Sequence, residues 1–550
     1  MRSNGFPSAL NRASGRRILR MCWRVSTRVQ TSRNYTTTLE TGPRKITPLE
    51  QIILTSIRAT GPIPVSNYMQ LCLGHPVYGY YMKGDPLGVA GDFITSPEIT
   101  QVFGELIAVW FISALQAMIP PNGASATTGG HKRKLRLVEL GPGRGTLSSD
   151  ILRVLTGPLA SRIGLPPVTN VHLVEMSPAL RAKQEKTLER YTSAVSKPSN
   201  SHNPLSIEWH DHIDDIPVND EDGTQTLVIA NEFFDALPIN IFEKAVDGWH
   251  EVLVDEYTSP NVLIPNNPGG GIISGASYPR TAGPTSTLAS PAYHPRLRFV
   301  LSKEPVPVLA LSTNKRFASL PVGTRVEYSR GSVGTMRSLA RLIGGGDNEP
   351  QQEQGAERKS GGGLGLIIDY GAERFFSSSF RGFRNHEITD PFHQPGNSDL
   401  TANVDFATLK DAVEDFSNVC VHGAISQARF LVSMGLEARV AGLMRAAVAE
   451  EGRSSSSSSS PSVMSKEVTT TTTTTMMGKR RSEMIREGAM KLVDEGPVGM
   501  GKTFQVMALS SSSLVPPSPS PLLSVTTEGQ DGAGADGGSG SSSASPLYPF

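Results

Sequence analysis

The stretch VELGPGRGTL, residues 138 to 147, constrains the fold more than any other part of this chain. The apolar run LRLVEL at 135–140 predicts a buried strand. Gly141, Gly143 and Gly145 then predict a tight turn, and a helix begins near Leu147. Strand, glycine turn and helix in that order open a doubly wound α/β sheet, in which ligands bind beyond the carboxyl ends of the strands. Gly141 permits the turn, while Gly143 and Gly145 let backbone approach a ligand and helix approach strand. The spacing is not the dinucleotide pattern G-x-G-x-x-G, because Thr146 stands where the last glycine belongs. Nor does a Lys-Ser/Thr pair follow, as a phosphate loop requires.

Further apolar runs continue the pattern: NVHLVE at 170–175, SIEW at 206–209, TLVIAN at 226–231, LGLIID at 364–369, NVCVHGAI at 418–425 and TFQVMAL at 503–509. Seven runs, several alternating with helical patterns, predict an open, mostly parallel sheet covered on both faces. Ahead of it, 45–120 reads as a helical N-terminal subdomain. Two helical patterns flank Gly61-Pro62, and Ser96-Pro97-Glu98 opens a later helix with a cap, a proline and an acid. The most apolar segment, 106–119, contains Ser113 and Gln116 and stops at Pro120-Pro121. It is too short to cross a bilayer and reads as a buried helix, so no membrane span is expected. A polar linker at 121–134 leads to the α/β domain at 135–509. Segments near 258–290, 345–362 and 451–476, with a tail at 510–550, are rich in Ser, Thr, Gly or Pro. They are predicted to be disordered insertions and a disordered tail, which makes the folded part shorter than the 550-residue chain.

Residues 1–35 hold eight arginines and no acid, and Arg12, Arg16, Arg20, Arg24 and Arg28 form one helical face. This amphipathic, Arg- and Ser-rich pattern predicts a mitochondrial transit peptide; the bland alternative is a basic tail or nucleic-acid arm. Removing those eight arginines takes the formal charge from +1 to −7. An acidic mature chain argues against general nucleic-acid binding and favours basic partners. Cys22, Cys72 and Cys420 are too far apart for a disulfide framework or a zinc motif. The eleven histidines form no HExxH-like set, so no metal is expected.

Acids at three strand ends bear on the ligand. Glu139 lies at the end of the first strand, two residues before Gly141. A carboxylate there repels pyrophosphate and attracts a cation, unless it is merely paired to an arginine. S-adenosylmethionine carries an ammonium and a sulfonium, and E-x-G-x-G-x-G resembles motif I of Rossmann-like methyltransferases. Glu175 ends the second strand, where an acid accepts both ribose hydroxyls of either NAD or S-adenosylmethionine, or else caps the helix after Ser177. Asn231, Glu232 and Asp235, in NEFFDALPIN, crowd the end of the fourth strand. They suit a cationic substrate such as an arginine side chain, whose guanidinium fork matches carboxylates; the structural alternative for the acids is helix capping around Pro238.

Eight blocks then follow in one order: GDFITSPEITQVFGELIAVW, VELGPGRGTL, LVEMSPALRAKQ, NEFFDALPI, IIDYG, FRGFRNHEITDPFHQPGNSDLTANVDF, SQARFLVSMG and MGKTFQVMAL. Together, over about residues 47–509, they resemble the MidA family, which includes the protein arginine methyltransferases of the mitochondrial complex I assembly factor 7 type. The resemblance implies a seven-strand Rossmann-like methyltransferase sheet with a helical N-terminal extension, and a matrix enzyme using S-adenosylmethionine. It implies symmetric dimethylation of an arginine on the 49-kDa-type core subunit of complex I, supporting assembly. Carried over, Glu139, Gly141, Gly143 and Gly145 would hold the methionine end of the cofactor and Glu175 the ribose. Asn231, Glu232 and Asp235 would lie beside the transferred methyl. Asp92, Phe93 and Glu98, and His386, Asp399 and Asp405, are further candidates for shaping the site. Asp399 and Asp405 also read as caps of short helices, and His386 as a structural histidine. A non-catalytic assembly chaperone on the same fold is the alternative. The sequence leaves the oligomeric state open, a homodimer among the options.

Overall fold

Every residue of Leu135–Leu140 is buried, as a strand covered on both faces requires. The computed structural model describes residues 46–84, 94–117, 127–128, 131–192, 205–218, 224–257, 296–308, 311–312, 314–345, 362–456, 481–497 and 499–512. The predicted leader at 1–35, Asp92, Phe93, the segment 258–290, and residues 346–361, 457–476 and 513–550 lie outside them. In chain order the strands are β1 (Leu135–Leu140), β2 (Val168–Val174), β3 (Ser206–His210), β4 (Gln225–Asn231), β5 (Asn240–Lys244), β6 (Trp249–Glu256), β7 (Leu297–Leu301), β8 (Arg325–Tyr328), β9 (Gly363–Ala372), β10 (Val419–Ser426) and β11 (Phe504–Ser511). The principal helices are α1 (Pro48–Thr60), α2 (Val65–Gly74), α3 (Val102–Ala117), α4 (Thr146–Leu155), α5 (Pro178–Thr192), α6 (Arg330–Gly344) and α7 (Leu436–Ser456).

The main sheet has the order β10-β11-β9-β4-β1-β2-β3. From β9 to β3 the neighbours are parallel, and β11 runs antiparallel to both β9 and β10. Strand order reverses between β1 and β4, so the glycine turn after β1 opens at the switch point where such sheets bind ligands. Alternate side chains go to opposite faces. Leu137, Ile229 and Leu366 meet Phe103, Ile107 and Phe111 of α3 and Ile151 of α4. Val138, Val228 and Ile367 meet Met336, Leu339 and Ile343 of α6. Besides Glu139 near its end, Arg136 is the charged residue within β1. Its Nε donates to Thr226 Oγ1 at 2.8 Å and its Nη1 to the Pro217 carbonyl at 2.7 Å, which satisfies the buried guanidinium.

A second sheet was not foreseen in the sequence. Strands β5 to β8 pair antiparallel, and the two-residue strand Ile63–Pro64 also pairs antiparallel with β6, at Leu253 and Val254 beyond the stretch that β5 covers. Helices α1 and α2 pack on this sheet: Leu49, Ile53 and Tyr68 share a core with Ile241, Val252 and Val254. Each such buried aliphatic side chain contributes about 2 kcal/mol. Helix α1 starts with a capping box, in which Thr47 Oγ1 accepts the Glu50 N–H at 3.0 Å and Glu50 accepts the Thr47 N–H at 3.3 Å. It ends at Gly61, whose φ of 87° a side chain would resist. Regular structure also enters two segments read as low-complexity, since α7 runs to Ser456 and β11 to Ser511.

Candidate cofactor and substrate site

The ends of β1, β2 and β4 open into a cavity of about 540 Å³. Its first wall is the glycine turn. Gly141 has φ 63°, and a Cβ there would lie 2.9 Å from Phe233 Cδ2. Gly141 and Gly143 line the cavity. Gly145, with φ 78°, is instead the residue before α4, where a Cβ would press on Gln184 at 3.4 Å. Its place is a close helix–helix approach, beside rather than on the cavity.

Glu139 lines the same wall and is 3% exposed. Its partner is the Ser148 hydroxyl, which donates to it, and among the described residues it makes no ion pair with an arginine. Burial pushes its carboxyl up to about 7, against the pull of the Ser148 hydrogen bonds. Glu175 follows β2 directly. One oxygen accepts the Ser177 N–H at 2.8 Å ahead of α5, and the other accepts from Gln184 Nε2 at 3.2 Å. The capping role is therefore real, yet the carboxylate also faces the cavity. Burial raises its pKa. Gln184, fully buried, also donates to the Gly143 carbonyl at 2.8 Å and accepts from Trp209 Nε1 at 2.8 Å. It ties the glycine turn to the acid, and nothing in its sequence setting signalled this.

The opposite wall comes from β4 and β9. Asn231 is buried, and its Oδ1 has no partner. Glu232 takes φ 50°, a strained conformation for a side-chain-bearing residue and one that concentrates at functional sites. Its Oε1 accepts the Ser96 N–H at 2.8 Å, and burial raises its carboxyl to about 7. Asp235 accepts the Tyr370 hydroxyl. Burial raises its pKa, while Tyr370 and then Arg381 oppose the rise. Behind them Asp369 is fully buried within β9, and its Oδ2 accepts the consecutive N–H groups of Phe233, Phe234 and Asp235 at 3.1, 2.9 and 3.3 Å. That clamp, more than capping near Pro238, shapes the NEFFD turn.

Of the further candidates, Glu98 lines the cavity and accepts from Thr146 Oγ1 at 2.5 Å. Asp399 also lines it; it sits in a short strand rather than capping a helix, and accepts the Tyr81 hydroxyl at 3.0 Å. Asp405 is the cap of helix Phe406–Asp411 and pairs with Arg316 at 2.7 Å, away from this cavity. His386 is exposed in a hairpin turn. Tyr81 and Tyr370 were missed. Tyr81 lies in the short turn Tyr80–Met82, which carries no ligand pattern of its own, and Tyr370 lies within β9 next to the acid that was the available signal.

Eight carboxylates, from Glu98, Glu139, Glu175, Asp211, Asp214, Glu232, Asp235 and Asp399, line the cavity, against Arg144 as its arginine. Such a lining suits ligands that carry positive charge. The residues present fit S-adenosylmethionine: a glycine turn that side chains would close, a buried acid near each strand end, and an unpartnered buried carbonyl at Asn231. Fold and site together define a Rossmann-like methyltransferase that uses S-adenosylmethionine.

Residues 106–425 match a family described as S-adenosyl-L-methionine-dependent methyltransferases. The protein arginine methyltransferase NDUFAF7, mitochondrial, of Danio rerio is 36% identical over 71% of this chain and 78% of its own length. The NDUFAF7 homologue of Drosophila melanogaster is 34% identical over 82% of each chain, and the Homo sapiens protein 32% identical over 74% of this chain and 77% of its own. A Burkholderia thailandensis crystal structure bound to S-adenosyl-homocysteine shares the fold with a TM-score of 0.53 at 22% identity, covering 84% of this chain and 91% of its own. The chain belongs to this family, the MidA family of S-adenosylmethionine-dependent methyltransferases.

Proposed function

We propose that the protein is a protein arginine N-methyltransferase of the mitochondrial matrix. Its substrate is an arginine of the 49-kDa-type core subunit of complex I, dimethylated symmetrically during assembly, and residues 1–35 are its import signal. The observation that carries the reading is that Glu232, Asp235 and Asp399 line the same cavity as the buried Asn231. The names of the relatives support the arginine and the mitochondrion; complex I is what the family resemblance implies. Among the described residues no helix is long and apolar enough to cross a membrane.

When bound, S-adenosylmethionine supplies an electrophilic methyl group. Glu139 and the turn at Gly141 and Gly143 hold its amino-acid end, and Glu175 its ribose. Glu232 and Asp235 receive the guanidinium fork and align one nitrogen for in-line attack. A guanidinium gives up its proton only as the new bond forms. A Glu232 carboxylate lifted to about 7 is a stronger base for that proton than an ordinary carboxylate.

The test is methyl transfer. The purified protein is mixed with isotope-labelled S-adenosylmethionine and matrix extract lacking the endogenous enzyme, and the label is located by mass spectrometry. Label on one complex I arginine supports the reading. Absence of label with demonstrated cofactor binding and substrate present, together with a Glu232→Gln variant that still restores complex I assembly, would shift the function to a chaperone.

A further inference from the structure

Outside the methyltransfer cavity, the outer edge of the main sheet gathers three side chains whose sequence spacing gave no hint of a ligand set. Glu208 and His210 are two apart on β3 and so share a face. His172 lies on β2 in direct register with Glu208. His172 Nδ1 is 3.0 Å from His210 Nε2 and 3.8 Å from Glu208 Oε2. One ligand atom from each of the three falls within 4.8 Å of the others.

We propose that His172, Glu208 and His210 form a binding site for a divalent transition ion of the zinc class, separate from the methyltransfer site. At metal–nitrogen distances of about 2.0–2.1 Å, tetrahedral ligand atoms stand about 3.3 Å apart. The 3.0 and 3.8 Å separations bracket that value. Two imidazoles and one carboxylate favour zinc, cobalt, nickel or copper over magnesium and calcium, which prefer all-oxygen shells. His172 is 5% exposed, whereas the Glu208 side chain is 49% exposed. The ion is thus anchored on the buried side, and water reaches the fourth position from the open side. Each ligand comes to its place only when β2 and β3 are paired, so the ion binds the folded chain and stabilises it.

The full chain, stripped with a chelator, is titrated with Zn²⁺ by calorimetry and with Co²⁺ by visible absorption. The expected result is one saturable ion per chain and a higher Tm with Zn²⁺. The Co²⁺ spectrum should show tetrahedral nitrogen and oxygen ligation without thiolate bands. His210→Asn and Glu208→Gln should each weaken Zn²⁺ binding by at least about tenfold. His250→Asn, which breaks a histidine–aspartate contact of 3.0 Å elsewhere, should leave binding unchanged. Retained S-adenosylhomocysteine binding marks each variant as folded; if His210→Asn does not fold, the half-exposed Glu208→Gln decides. No saturable site in the wild-type chain, or wild-type affinity in the ligand variants, overturns the proposal.

Discussion

Replacing Glu139 by Gln should change how the stability of the cofactor-free protein depends on pH. Glu139 is 3% exposed and its carboxyl is raised from 4.5 to about 7 by burial. Between those values the unfolded chain has released the proton and the folded chain keeps it, so folding loses stability as pH rises from 4.5 to 7. At 1.36 kcal/mol per unit, that loss is about 3 kcal/mol for this one side chain, complete above pH 7. Glutamine does not titrate, so the contribution vanishes in the variant whatever its own fixed cost. Urea unfolding of both proteins at intervals from pH 4.5 to 8 measures the difference. The variant should gain about 3 kcal/mol on the wild type across that range. At pH 8 it should also bind S-adenosylmethionine more weakly, having lost the charge opposite the ligand's cation. A stability difference that stays flat with pH would refute the argument, because Glu139 would then titrate alike in both states.

Gly141→Ala forces a side chain into φ 63° against Phe233. The combined strain of about 2–4 kcal/mol should appear in calorimetry as at least a tenfold loss of S-adenosylhomocysteine affinity. Glu232→Gln should lower kcat by more than about a hundredfold with cofactor affinity within a few fold, measured by methyl transfer and calorimetry side by side. Asp369→Ala removes the acceptor of three N–H groups in a fully buried turn. It should destabilise the protein by about 2–4 kcal/mol in urea unfolding, and a loss below 0.5 kcal/mol would mean water replaces the carboxylate.

The central strands of the main sheet, β1, β4 and β9, were legible because they are buried on both faces and read as largely apolar runs. The observed ends differ little from the predicted ones; β2, for example, stops at Val174 and leaves Glu175 just beyond it. The glycine turn was legible because only glycine occupies such φ values without strain. The second sheet was not. Strands β5 and β8 are short and break their apolar pattern with charged residues, the buried Glu327 among them, and β7 is separated from its partner β6 by residues 257–296. Within the site, acids at strand ends were visible as polar residues closing apolar runs. The groups that hold them were not: the Gln184 side chain and the Ser96 N–H reach these acids by hydrogen bonds across the fold, which leave no local pattern.

Strand β11 is the last of the sheet along the chain, yet it lies between β9 and β10 rather than at an edge. Until residues 504–511 are available, β9 presents an unpaired backbone on that side and β10 has no partner in the sheet. A chain threaded from its N-terminus cannot finish this sheet while it is still emerging. It must wait with an apolar strand edge exposed, the state most prone to sticking to other chains. The sheet thus closes only when its last strand inserts between β9 and β10. A version cut before residue 504 would be an aggregation hazard instead of a smaller methyltransferase.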